Sequence, residues 1–123
     1  QLIRLVDSTP VTGNGITVYH HWTMAPATTN KARVQTAFER VGCGVLDTDL
    51  SNWQAAASSN TGDINVPADS GMLTISCSTH ASGAGMSSLA VGEYGRLCVS
   101  RVVTTGTDAT GELHLFAIEM KET

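Results

Sequence analysis

The chain has 123 residues, 41% hydrophobic and 15% charged, with a formal charge of −4 at pH 7. That length suits one domain with one core, and the balance of hydrophobic to charged residues argues against disorder over most of the chain. Seven scattered basic residues leave no footprint for a phosphate backbone, and no apolar run reaches the ~20 residues needed to span a bilayer; neither a nucleic-acid nor a membrane partner is expected.

Gln1 to Val6 is a short apolar run closed by Asp7-Ser8-Thr9-Pro10, expected as an N-terminal arm or edge strand within residues 1–10. Such a segment suits pairing with a neighbouring chain's sheet edge. The Gly13-Asn14-Gly15 cluster turns the chain into residues 11–123, expected as the folded domain. Ile16, Val18, His20, Trp22 and Met24 alternate with Thr17, Tyr19, His21 and Thr23, which predicts a core strand with one largely apolar face. Lys31 to Val41 sets Val34, Thr36 and Phe38 against Arg33, Gln35, Ala37 and Glu39, a half-buried strand. Gly42-Cys43-Gly44 breaks it. Asp47 to Ser51 reads as a turn or one short helical turn, Trp53 to Ala57 as a strand in preference to the helix that its alanines would allow, Asn60 to Asp63 as a further turn and Ile64 to Pro67 as a brief extended piece.

Met72 to His80 alternates Leu73, Ile75, Cys77 and Thr79 with Met72, Thr74, Ser76 and Ser78, and Ser82 to Ser88 is a Gly-rich loop. Two last strands follow, Arg96 to Val103 and Glu112 to Met120, joined by the polar stretch Thr104 to Gly111. Direct pairing would place Leu97 opposite Ile118, Val99 opposite Phe116, Arg96 opposite Glu119 and Arg101 opposite His114. The loop is also long enough to carry the chain from one sheet to another. Some seven or eight short strands with no helix-length amphipathic window make the chain all-β, either a sandwich of jelly-roll or immunoglobulin type or a closed barrel.

Ser88-Leu89-Ala90-Val91-Gly92, Arg96-Leu97-Cys98-Val99-Ser100-Arg101, the Thr107 to Gly111 loop and the closing strand Glu112 to Thr123 resemble a jelly-roll domain of tailed-phage structural proteins. Trp22-Thr23-Met24-Ala25, Ala37-Phe38-Glu39-Arg40 and Val66-Pro67-Ala68 are similar to earlier landmarks of that family, so the likeness spans residues 16 to 123. The loop is Thr-rich at Thr104, Thr105, Thr107 and Thr110 where the family favours Asp, and the N-terminal arm is short. The resemblance implies a single-domain jelly-roll β-sandwich and a place in the virion, assembled in the host cytoplasm. It further implies a capsid decoration or cement protein that binds the major capsid protein as a homo-oligomer, a trimer by expectation.

No residue pattern points to catalysis, a cofactor or a metal. His20 and His21 are adjacent and therefore face opposite sides of a strand, so they cannot both join a cluster with His80 and His114. Asp47-Thr48-Asp49 and Thr107-Asp108 lack the ligand spacing of a calcium loop and read as turn-formers. There is no G-x-S-x-G, and Glu39 and Glu119 sit in strands with nearby arginines that cross-strand ion pairs explain. Cys43, Cys77 and Cys98 are odd in number without a C-x-x-C, and read as reduced thiols, at least two of them on strands and acting as small hydrophobes. Trp22 reads as core. Trp53, between polar Asn52 and Gln54, and Tyr94 are the aromatics that would serve the alternative function, a tail-fibre or receptor-binding module that stacks on sugar rings.

Overall fold

A computed structural model describes residues 2–4, 15–41, 57–89 and 93–123. In chain order its strands are β1 Leu2–Arg4, β2 Ile16–Ala25, β3 Lys31–Val41, β4 Ser58–Asn60, β5 Ile64–Asn65, β6 Thr74–His80, β7 Tyr94–Val102 and β8 Glu112–Glu122. A 3-10 turn, Gly83–Met86, interrupts them, and no described helix is long and apolar enough to cross a membrane. The strands form two sheets. The larger runs β1-β7-β3-β4, with β5 also on β3, and the smaller runs β6-β2-β8. All the strand pairings are antiparallel. The molecule is a single-domain β-sandwich: the punctuated alternation predicts an all-β chain, and of the sandwich and the closed barrel that it leaves open the structure is the sandwich.

The period-two pattern of β2 does most to build the interior. Ile16, Val18, Trp22 and Met24 face the larger sheet and are buried. One core cluster gathers Ile16 and Val18 with Phe38, Ala57, Met86 and Leu97, and the other gathers Trp22 and Met24 with Ala32, Val34, Val66 and Ala109. Val99 of β7 packs against both, so the core is continuous along the strand axis. The Gly-rich loop contributes more than a connection. Its 3-10 turn buries Met86 completely and ends on Ser87 in the left-handed region, letting the Ser88 amide bond the Gly83 carbonyl at 2.8 Å.

The last two strands do not pair with each other. β7 lies between β1 and β3 in the larger sheet, with Leu97 opposite Phe38 and Val99 opposite Thr36, while β8 lies beside β2 in the smaller. Arg96 consequently forms its ion pair with Glu39, its neighbour across β3, and not with Glu119. The loop crosses the end of the sandwich because its own groups hold it there. The Lys31 amide donates to the Thr107 carbonyl at 3.1 Å, the Ala109 amide donates to the Lys31 carbonyl at 2.8 Å, and Ala109 is buried in the Trp22 cluster. Arg101 reaches over to Asp108 at 3.1 Å and to the Gly111 carbonyl at 2.7 Å, and also bonds the Ala109 carbonyl.

The N-terminal segment is an edge strand of its own chain. Leu2, Ile3 and Arg4 pair with Arg96, Gly95 and Tyr94 of β7, which places β1 at the end of the larger sheet. Ser58–Asn60 is strand β4, paired with Gln35 to Ala37, where the sequence predicts a turn from Asn60. The predicted turn at Asp47 to Ser51, and Cys43 and Trp53, lie outside the described residues.

Candidate functional site

Strand β6 is the element whose two faces invert the usual order. Its pairing with β2 sets His80, Ser78, Ser76 and Thr74 opposite Ile16, Val18, His20 and Trp22, all of which face the core. Ile75, Cys77 and Thr79 are therefore turned to the outside, opposite His21, Tyr19 and Thr17. The strand buries its polar side and exposes its apolar one. Cys77 is accordingly an exposed free thiol and not a buried one, because it shares the outward face with Ile75; Cys98 is a half-buried free thiol.

The buried polar side is tolerated because its groups bond one another. The Trp22 indole N–H donates to Ser76 Oγ at 2.9 Å. His80 Nδ1 stands 3.1 Å from the Gly85 carbonyl, an acceptor only, so that nitrogen carries the proton and Nε2 accepts from the Thr36 hydroxyl at 2.7 Å. Thr36 Oγ1 then accepts from Ser78 at 2.5 Å, which ties the larger sheet to the smaller through the core. The Phe38 ring meets the His80 ring edge-on, with centroids 4.7 Å apart. His20 closes the row, its Nε2 at 3.4 Å from Ser78 Oγ and its Nδ1 without a partner in hydrogen-bond geometry. Burial lowers the pKa of both imidazoles, opposed by backbone groups of Ser76 for His20 and of Gly85 and Ala57 for His80. Hydroxyls and imidazoles in contact suggest nucleophile chemistry, but Thr36, Ser78, His20 and His80 are all buried in the core and among the described residues no carboxylate joins the row. Its geometry is that of an inter-sheet tie.

The outward face of the smaller sheet has the opposite character. Leu73, Ile75 and Phe116 are 55%, 58% and 68% exposed and line one end of it. Phe116 owes its position to a bulge. Ala117 opposes His21 and Leu115 opposes Trp22, so Phe116 is the extra residue of β8 and no β2 residue faces it. His21, Thr23, Gly71, Leu73, Phe116 and Ala117 surround a shallow groove of about 440 Å³ whose floor is the pleat of β2. The Gly71 amide donates to the Met24 carbonyl at 2.9 Å and so holds the 69–73 turn, with Leu73, at the groove's rim. The far end of the same face is polar, with Tyr19, Glu119 and Lys121 in neighbouring register positions and His21 Nε2 at 3.7 Å from Glu119. Exposed apolar side chains gathered on one end of a sheet face make it the candidate contact surface.

The remaining sequence candidates scatter. Of the histidines, only His20 and His80 converge; His21 faces outward, and His114 opposes Thr23 instead of Arg101 and sits 3.7 Å from Glu112. Among the described residues no three His, Cys, Asp or Glu side chains gather as metal ligands would. Glu39 pairs with Arg96 as expected, whereas Glu119 has His21 and not an arginine as its neighbour. Asp108 is bound by Arg101, consistent with a turn-forming role. Trp22 is fully buried and Tyr94 is exposed at the start of β7, opposite Arg4 of β1. The sequence signal that would have found the outward face was Leu73 and Ile75 on the alternating strand, had the polar Ser76-Ser78-His80 row been assigned to the interior.

Comparison of the chain with protein-family models, with curated proteins and with solved structures yields no match. The class the fold defines is the β-sandwich, and the surface that distinguishes this one is the apolar end of its smaller sheet.

Proposed function

We propose that the chain is a non-enzymatic virion structural protein of a tailed phage, a capsid decoration or cement protein that binds the major capsid protein and stabilises the head as an oligomer. The observation that carries this reading is the inverted β6, which leaves Ile75, with Leu73 just before it, on the same open sheet face as Phe116 while serines and a histidine fill the core. A face of this kind supplies adhesion by burying apolar surface, and many modest contacts repeated over a lattice add through multivalency. The resemblance of residues 16 to 123 to phage jelly-roll domains points the same way.

Quantitative mass spectrometry of particles from the phage that encodes the chain tests the proposal. The expected result is a copy number proportional to the capsid lattice, present on purified heads freed of tails. Confinement to the tail, or specific binding on a glycan array through the Phe116 groove, would overturn the head-surface reading in favour of a receptor-binding module.

A further inference from the structure

Strand β8 is an edge that nothing described protects. It is 11 residues long, contains no proline, and no described strand lies beyond it in the order β6-β2-β8. Edge strands in stable monomers are usually short, interrupted or covered. Leu115 and Met120 oppose Trp22 and Val18 and so point to the core side of the sheet, yet they are 42% and 39% exposed because the sheet stops at β8. Its register with β2 fixes the faces. Leu113, Leu115, Ile118, Met120 and Glu122 lie on the core side, and Glu112, His114, Ala117, Glu119 and Lys121 on the outer side.

We propose that β8 pairs antiparallel with β8 of a second copy of this chain, about a two-fold axis perpendicular to the sheet, to join the two three-stranded sheets into one. Such an axis keeps each face on its own side, so opposing residues must share a face. In an unbulged strand that requires residues an even number apart. The bulge at Phe116 changes the requirement for residues on either side of it, and the register it permits is self-complementary. Leu113 meets Met120 and Leu115 meets Ile118 on the core side; Glu112 meets Lys121 and His114 meets Glu119 on the outer side; Phe116 meets Ala117 at the axis. Sliding by one step in either direction sets Glu112 against Glu119 and Leu115 against Phe116 of the other face, or Leu113 against Glu122 and Ala117 against Ile118 of the other face. Charge pattern, face and length thus select one alignment, and the occupant it fits is the strand itself. The pairing also brings the Phe116 ends of the two outward faces together across the axis.

This pairing rests on the geometry of β8 and not on the virion reading: failure to find the chain on heads would leave the dimer standing, and loss of the dimer would leave head binding through a different oligomer open. Sedimentation velocity on the full chain over a concentration series tests it, with circular dichroism to monitor the fold. A species of twice the 12.9 kDa chain mass is expected. Lys121→Glu and Glu112→Lys, each placing like charges opposite one another at both symmetric positions, should raise the dimer Kd on the order of tenfold. The double variant K121E/E112K restores the pairs and should restore the wild-type Kd. A monomer at every concentration, a trimer, or a dimer indifferent to the single reversals would each overturn the proposal.

Discussion

Thr36 holds the inner surfaces of the two sheets in register at one point, because its hydroxyl is shared between Ser78 and His80. The price at the residue scale is a pair of imidazoles kept neutral. Burial lowers both histidines below the ordinary imidazole value of 6.5. In the unfolded chain they bind protons from about that value downward, and in the folded chain only at lower pH. Stability is therefore full above about pH 6.5 and falls as pH drops through that value toward the folded ones. Asp63 acts in a separate window. Its carboxyl is held low by the Thr105 hydroxyl, at 2.6 Å, and by Arg33, so its contribution is lost only as pH falls below the ordinary carboxylate value of 3.8. Urea titrations should accordingly show a lower midpoint at about pH 5 than at about pH 7.5, with the m-value unchanged. His80→Gln should lower stability at neutral pH and flatten that dependence; an equally steep dependence in the variant would show that the buried row is not its source.

At the scale of elements, β2 is the organising strand, and its first position depends on a glycine. Gly15 has φ +84°, and a Cβ there would come within 2.0 Å of the His80 carbonyl oxygen, a backbone atom that cannot turn away. Its own carbonyl accepts from the Thr123 amide at 3.0 Å, which closes the end of β8 onto β2. Gly15→Ala should therefore cost upward of about 1 kcal/mol from backbone strain alone. Hydrogen exchange should show faster opening at His80 and at Thr123 than in the core of β3; uniform loss of protection would mean that the whole sandwich and not this corner had loosened. Alternation made β2, β3 and β6 legible from the sequence, because period two is a property of a strand in isolation. Which face of β6 points inward was not legible, since that follows from its register with β2 and from hydrogen bonds to Thr36, a residue distant in sequence. The same holds for β8. Its apolar run was visible, but the bulge that turns Phe116 outward and the crossover that separates it from β7 are set by contacts with His21, Trp22 and Lys31.

On the scale of the whole molecule, one sheet is built for the core and the other is divided between core and exterior. The larger sheet buries Ala32, Val34, Phe38 and Leu97, whereas the smaller one buries hydroxyls and the His80 imidazole on β6 and keeps Leu73 and Ile75 outside. Stability and adhesion consequently draw on different residues and can be separated by substitution. Leu73→Ser with Phe116→Ser removes the apolar ends of the groove while leaving both core clusters and the Thr36 tie untouched. Exposed positions of this kind change folding stability by within about 0.5 kcal/mol each, so the thermal midpoint should stay near that of the wild type. Occupancy on purified heads should fall nonetheless, and more steeply than the loss of one contact would suggest, because a surface that engages repeatedly loses affinity at every engaged copy. Unchanged occupancy at unchanged stability would move the attachment surface elsewhere, with the groove of about 380 Å³ formed by Asn30, Lys31, Asn65, Val66 and Thr107 at the opposite sheet as the next place to substitute.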